Sequence, residues 1–366
     1  MRFPEFQGEW EKCKLGDYGK VVTGNTPPTK DSENYENGTY LWASPADLGT
    51  IKSITETKTM LSAQGFSKTR TLPKGSVLVT CIGSTIGKAG MATKEMSTNQ
   101  QINSIVVNDN NDNEFVYYAI QSAFPRYLSS IAVQAVPIIS KSAFELLPNN
   151  RPYLQEQKKI GKFLSMLDER IATQNKIIDK LQSLIKGIAQ HCIRELVKGC
   201  GYVRLGDICK ITTGKLDANA QVENGQYPFF TCAELPFNID SYAFDTEALL
   251  ISGNGANLGY INYYNGKFNA YQRTYVLDHF SVDIQYVKWA LKVLLPKRIA
   301  IEKSSSNTPY IVLSTLANLK LPIPSKSKQS HISNLMLSFE RKLSNQLALN
   351  DHYNKQKQYM LRQMFI

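Results

Sequence analysis

The chain has 366 residues, 42% hydrophobic and 20% charged, enough apolar material for two ordinary domains plus connecting structure in a soluble globular protein. Its opening, Met1-Arg2-Phe3-Pro4-Glu5-Phe6, has no apolar leader core, and no run approaches the ~18 apolar residues a membrane span needs, so a cytoplasmic protein is expected. A net charge of +11 and a pI near 9.2 point to a polyanionic partner, nucleic acid first.

That charge is unevenly spread. Residues 1–150 carry 14 basic and 14 acidic side chains, and residues 201–325 carry 11 and 10. Residues 151–200 carry 10 and 5, and residues 326–366 carry 7 and 2, so the surplus sits in two segments outside the globular parts. The six cysteines (Cys13, Cys81, Cys192, Cys200, Cys209 and Cys232) form no C-x-x-C pair, and the four histidines do not join them at zinc-finger spacing. His191-Cys192 followed by Cys200 is the one cluster. No metal is expected there, and free, mostly buried thiols in a reducing compartment are.

Residues 1–150 read as short strands, such as Ser76-Val77-Leu78-Val79-Thr80, separated by polar loops such as Thr23-Gly24-Asn25-Thr26-Pro27-Pro28. Residues 151–200 follow as a helix from about Tyr153 to Val197, roughly 65 Å long at 1.5 Å per residue. Ile160, Leu164, Leu167, Ile171, Ile178, Leu181, Ile185, Ile188 and Cys192 alternate spacings of four and three, an a/d seam interrupted at Gln174. Residues 201–325 return to strand-and-loop texture, with Ala248-Leu249-Leu250-Ile251-Ser252 as a strand and Gly253-Asn254-Gly255-Ala256-Asn257 as a loop. Residues 326–366 form a second seam through Ile332, Met336, Phe339, Leu343, Tyr353, Met360 and Met364, broken by Gln346, Asn350 and Lys357. An apolar stripe on so long a helix needs a partner. Each helix either packs on its own domain or coils against the other; the shared period favours the coil.

The chain repeats itself, which sets the architecture. Leu15-Gly16-Asp17 with Thr23-Gly24 recurs as Leu205-Gly206-Asp207 with Thr213-Gly214. Gly83-Ser84-Thr85-Ile86-Gly87 has a looser echo in Gly255-Ala256-Asn257-Leu258-Gly259, and Val136-Pro137-Ile138-Ile139 in Thr308-Pro309-Tyr310-Ile311. The offset starts at 190 and settles to 172, which places a longer early loop, around residues 25–50, in the first copy. The expected fold is mixed α/β (α+β): two domains in tandem, each followed by a long helix, with the helices paired as an antiparallel coiled coil.

These residues resemble the DNA-specificity subunits of type I restriction–modification systems over essentially the whole chain. The resemblance rests on Arg2-Phe3-Pro4-Glu5-Phe6 with Gly8-Glu9-Trp10 and Lys14-Leu15-Gly16-Asp17, and on Thr23-Gly24-Asn25-Thr26-Pro27. It continues through Leu41-Trp42-Ala43-Ser44-Pro45-Ala46-Asp47-Leu48, Gly83-Ser84-Thr85-Ile86-Gly87-Lys88 and Thr98-Asn99-Gln100-Gln101. It implies two target-recognition domains, each reading half of a split double-stranded DNA target, with the coil setting the unread spacer. It also implies two modification subunits carrying S-adenosylmethionine, and restriction subunits using ATP and Mg. No catalytic residue, cofactor or metal is then expected in this chain.

Three enzyme-like patterns fail on their own terms. Gly83 to Lys88 is one residue short of a phosphate loop, and Ala89 stands where such a loop puts its magnesium-binding hydroxyl. Asp47 with Glu56-Thr57-Lys58 has the spacing of a metal-dependent nuclease, but the second copy has no equivalent. Gly253-Asn254-Gly255 with Asn307-Thr308-Pro309-Tyr310 suggests an adenine methyltransferase, yet Thr308 breaks the rigid Pro-Pro step. A self-contained methyltransferase or nuclease, and a scaffold without sequence preference, are the alternative readings.

Guanine is read by Arg or Lys and adenine by Asn or Gln, while phosphate takes basic groups. The first-domain candidates are Asn25, Thr26, Lys30, Lys68, Arg70, Ser84, Lys88, Asn99, Gln100 and Gln101. The second-domain candidates are Lys215, Asn219, Asn254, Asn257, Tyr271, Gln272, Arg273 and Asn307, and Arg70, Lys88, Gln101 and Arg273 lead the set. Gln174 and Gln346, related by the 172 offset, either hydrogen-bond to fix the coil register or stand solvated. Coil lysines such as Lys158, Lys162 and Lys176 are expected to face the DNA spacer or an acidic partner surface.

Overall fold

The computed structural model describes residues 2–49, 51–130, 138–195, 198–303 and 310–365. They form two compact units, one of Met1–Asn175 with Ala348–Ile366 and one of Lys176–Leu347. Each unit takes about half of both long helices, which lie over residues 154–194 and 326–364.

In the first unit, β1 (Glu11–Lys14), β2 (Gly19–Thr23), β3 (Tyr40–Ala43), β4 (Ser53–Ile54) and β5 (Thr59–Leu61) precede the short helix α1 (Ala63–Ser67). Next come β6 (Val77–Thr80), β7 (Ala89–Ala92), β8 (Ser97–Thr98), β9 (Ile102–Val107), α2 (Asn113–Ser130), α3 (Lys141–Glu145) and β10 (Pro148–Arg151). The long helix α4 (Leu154–Arg194) starts in this unit. Five strands form a sheet in the order β2-β9-β6-β7-β4, three form another in the order β5-β3-β8, and β1 pairs with β10.

β6 shows why the sheet is central. All four residues of its Val-Leu-Val-Thr run are buried, the signature of a strand covered on both faces. Side chains alternate across a strand. Val77 and Val79 accordingly join a core with Phe115 and Ile120 of α2, whereas Leu78 joins another with Leu41, Leu48 and Ile102. The first of these cores also takes in Ile160 and Leu164 of α4 and the late residues Met364 and Phe365. The Phe365 ring lies 5.4 Å from Phe115 and 5.9 Å from Trp10.

In the second unit, β11 (Tyr202–Arg204), α5 (Leu205–Ile208), β12 (Lys210–Thr213), β13 (Tyr227–Phe230), β14 (Phe237–Ile239), β15 (Phe244–Ser252), β16 (Ile261–Ala270) and β17 (Thr274–Asp278) lead to α6 (Ile284–Lys303). Then α7 (Leu313–Ala317), β18 (Lys320–Pro322) and α8 (Lys326–Met364) complete the chain's elements. Here one six-stranded sheet, β12-β17-β15-β16-β13-β14, replaces the two sheets of the first unit, and β11 pairs with β18.

The long helices pair antiparallel. In the first unit, Asp168 of α4 accepts a hydrogen bond from Tyr118 and meets Lys357 of α8, while Arg170 lies 5.2 Å over the Tyr353 ring. In the second, Leu181, Ile185 and Cys192 of α4 share a core with Ile332 and Met336 of α8, with Phe339 and Leu343 packed against it. Burying this apolar seam, at about 25 cal/mol per Å², is what the heptad pattern demanded. Gln174 is buried in the first unit and Gln346 half-buried in the second. Lys158, Lys162 and Lys176 are exposed.

The repeat recurs bond by bond. Leu15 N donates to Leu147 O at 3.0 Å, and Leu205 N to Leu319 O at 2.9 Å. Ile82 bridges Ile138, and Asn254 bridges Tyr310. Gln157 accepts from Asp112 N at 3.0 Å and donates to Pro152 O at 2.9 Å; Gln329 accepts from Asp283 N at 3.1 Å and donates to Pro324 O at 2.8 Å. These glutamines tie the first turn of each long helix to the start of the helix that backs each sheet.

Candidate nucleic-acid interface

In the first unit Thr23 of β2 pairs with Asn103 of β9, and Ile102 of β9 with Thr80 of β6. The ends of β2 and β6 and the start of β9 therefore share one edge of the sheet, and loops 24–30, 81–88 and 99–101 leave from it. Close packing joins them. A side chain on Gly24 would collide with the backbone oxygens of Thr98 and Asn99, so only glycine lets these loops touch.

Within this cluster the sequence candidates divide by what their polar atoms already hold. The Asn25 amide donates to Lys68 O at 2.9 Å and accepts from Arg70 N at 2.8 Å, so it builds the loop. Lys68 Nζ donates to Asn34 at 2.9 Å and pairs with Asp31 at 3.6 Å. Arg70 is exposed, with one guanidinium N–H on Thr23 O at 2.8 Å. The Thr26 hydroxyl donates to the Gln100 side-chain oxygen, tying the first loop to the third. Asn99 is buried, donates to Gln101 Oε1 at 3.0 Å and accepts from Gln101 N at 3.0 Å. Ser84 sits exposed in the middle loop, and Lys88 is exposed with its methylenes over Gly49. Lys30 is exposed in the turn closed by Asp31 N on Pro28 O.

Beneath the loops lies Cys81, whose amide donates to Gln101 O at 2.7 Å. Burial pushes its thiol up to about 12, because the thiolate loses its hydration. It is a packing residue at the operating pH.

The second unit builds the same edge. Thr213 of β12 pairs with Tyr275 of β17, and Ser252 of β15 with Thr274. The loops after β12, after β15 and before β17 emerge together, and a side chain on Gly214 would strike the backbone of Ala270 and Tyr271. Lys215, Asn219, Gln272 and Arg273 are exposed and Tyr271 is half-buried. Gln272 donates to Asp217 at 2.7 Å, and its backbone N–H to Leu216 O at 2.9 Å. Asn254 accepts from the Cys232 thiol at 3.0 Å, and Asn257 donates to Cys232 O at 3.1 Å, so both serve the loop. Asn307 lies outside the described residues.

Two of the enzyme-like patterns take structural roles, and the third rests on residues 307–309, outside the described residues. The turn from Gly83 to Lys88 runs into β7, so no helix N-terminus stands behind it to hold phosphate. Both Asp47 oxygens are engaged, one by Ser44 N and Oγ at 2.8 and 2.7 Å, the other by Lys58 N at 2.8 Å. They cap a turn.

Comparison with known proteins matches this doubled geometry. The family described as "Type I restriction modification DNA specificity domain" matches twice, over residues 7–183 and 198–350. The chain belongs to the type I restriction–modification DNA-specificity family. The EcoDI specificity subunit of Escherichia coli is 45% identical over 131 residues, 36% of this chain and 29% of that relative, so this match spans under a third of the relative's length. The MjaIX specificity subunit of Methanocaldococcus jannaschii is 26% identical over 384 residues, covering 92% of this chain and 88% of that one. Among solved structures, the type I S subunit from M. genitalium superposes with a TM-score of 0.68 at 19% identity, over 100% of this chain and 99% of that one. That likeness shows a shared fold.

For a specificity-family chain, several structural residues were invisible in the one-dimensional pattern. Lys52 donates to Glu114 at 2.7 Å and Ser165 at 2.8 Å, fastening the sheet to α2 and α4. Lys288 pairs with Glu340 at 2.8 Å in the second unit. Asp168, which accepts from Tyr118 of α2, and Glu340, which receives Lys288 of α6, stand 172 apart, so the repeat carried a signal for these two acids. Cys232, placed between Asn254 and the Arg273 carbonyl, had none. No described helix is long and apolar enough to cross a membrane.

Proposed function

We propose that this chain is the DNA reader of a type I restriction–modification complex, with each unit reading one half of a bipartite duplex target. The observation that carries the reading is the doubled loop edge: both units gather three loops at the same end of the same three-strand frame, with exposed Arg, Lys and Gln at the rim. The antiparallel helices set the unread spacer between the half-sites.

In this reading Arg70, Ser84, Lys88, Gln101, Lys215, Asn219 and Arg273 face DNA, while Asn25, Asn99, Asn254 and Asn257 shape the loops that do so. Asn307 remains a candidate beside them. Two modification subunits supply S-adenosylmethionine and methyl transfer, and restriction subunits supply ATP- and Mg-dependent translocation and cleavage, all in the cytoplasm. A similar fold, with a TM-score of 0.61 at 19% identity, was solved in work on complex assembly and conformational transition of the type I R-M system, which supports a partnered role. The exposed coil lysines face the spacer or an acidic partner surface.

The test is methylation mapping and duplex binding of Arg273→Ala at moderate salt, where nonspecific binding falls steeply. Recognition is expected to fail at one half-site and persist at the other. Equal loss at both halves, or no preference over random duplex by the unaltered chain, overturns the reading.

A further inference from the structure

The two loop edges are superimposable in their bonding, yet they present different chemistry at one backbone position. Gln101 follows the tight turn before β9, and its carbonyl accepts from Cys81 N at 2.7 Å. Arg273 follows the equivalent turn before β17, and its carbonyl accepts from Gly253 N at 2.8 Å. Two residues earlier the frames again agree, with Asn99 N on Ala43 O and Tyr271 N on Phe230 O, each at 2.9 Å. Cys81 and Gly253, and Gln101 and Arg273, are all related by the same 172 offset.

We infer that Gln101 and Arg273 are paired specificity determinants, Gln101 selecting an adenine in one half-site and Arg273 a guanine at the corresponding place in the other. This rests on the proposed reading of DNA by each unit and deepens it. The chemistry follows from the groups. Carboxamides bond adenine N6 and N7 with one acceptor and one donor, and guanidinium bonds guanine O6 and N7 with two donors.

Local contacts match each role. Asn99 donates to Gln101 Oε1 and accepts from Gln101 N. This clamp fixes which way the Gln101 amide faces, and a carboxamide reader needs that because its two ends are nearly alike in shape. It leaves the second lone pair of Oε1 and both Nε2 protons uncommitted among the described residues, with Nε2 3.9 Å from where a side chain on Gly83 would begin. Arg273 has no such need, since both faces of its fork donate, and its counterpart of Asn99 is Tyr271. The Arg273 side chain is exposed and has no hydrogen bond or ion pair among the described residues.

The experiment uses the full chain assembled with its modification subunits, read by methylation mapping and duplex competition. Gln101→Arg is expected to change one base pair of one half-site from A·T to G·C, and Arg273→Gln to make the opposite change in the other. Affinity for the original base pair should drop about tenfold to a hundredfold in each case. Where an exchange variant fails to assemble, a 7-deazapurine scan of the unaltered chain and of Arg273→Ala replaces it. Loss of N7 at one guanine should weaken binding of the unaltered chain and leave Arg273→Ala indifferent.

The inference is overturned if both variants methylate the original motif. It is also overturned if the position released by Arg273→Ala is not a guanine. A bipartite motif in the unaltered chain under either result would leave the two-reader function standing, and its absence would remove both.

Discussion

Glu340 of α8 holds the Lys288 ammonium of α6 at 2.8 Å, and the lysine side chain is only 7% exposed while the carboxylate is 30% exposed. Removing the acid strands a charge in a nearly dry site. Glu340→Ala should therefore destabilise the second unit by roughly 2–3 kcal/mol, below the 3–5 of a fully buried pair because the acid keeps some solvent. Chemical denaturation checks this, and Lys288→Met with Glu340→Leu should recover most of the loss.

Phe365 fills the space between Phe115 and Trp10 in the first unit. Phe365→Ala should cost about 3–5 kcal/mol through lost burial and the cavity left behind. Tryptophan fluorescence reports it directly, since Trp10 is its neighbour. An unchanged unfolding midpoint would show that the ring contributes nothing there.

Gly87 and Gly259 both adopt positive φ, +89° and +82°. A methyl group at Gly87 would come within 2.6 Å of Phe124, and one at Gly259 would strike Ile299. Gly87→Ala and Gly259→Ala should each cost roughly 2–4 kcal/mol from left-handed strain plus overpacking. Each should impair one half-site only, read by competition with half-site mutants of the target.

Burial raises the thiols of Cys81 and Cys209 to about 12 each, against about 9 in the unfolded chain. Below pH 9 both states hold the proton and the shift has no effect. Above it the unfolded state gives up protons that the folded state keeps, so stability falls as pH rises toward 12. The slope approaches about 1.4 kcal/mol per pH unit for each thiol. Cys81→Ala and Cys209→Ala should flatten the decline in a series of melting temperatures from pH 8 to 11.

The frame was legible because periodicity and repetition survive in one dimension. Heptad spacing from Ile160 to Cys192 marked the α4 seam, and Ser76-Val77-Leu78-Val79-Thr80 marked a strand. The shared offset of 172 relates Ile82 to Asn254 and Ile138 to Tyr310, and in the structure both pairs are bridges. What the pattern could not show is where a polar side chain spends its hydrogen bonds. Asn25 looks like an adenine reader, but both ends of its amide are held by backbone 43 and 45 residues away. Composition was equally silent on the sheet split, since β3 and β8 leave the five-stranded sheet in the first unit while their counterparts β13 and β16 stay continuous with theirs.

The first unit draws on residues 2–175 and again on residues 348–365, and this has a consequence for synthesis. A ribosome that has finished the leading loops, strands and α4 has made nearly all of that unit, yet its core still lacks Met364 and Phe365. The second unit can close first, from a shorter span, although the first was begun earlier. Maturation of the first unit therefore waits for Met364 and Phe365, which are made after the whole of the second unit, and a chain that stops short of them carries its defect in the unit begun first.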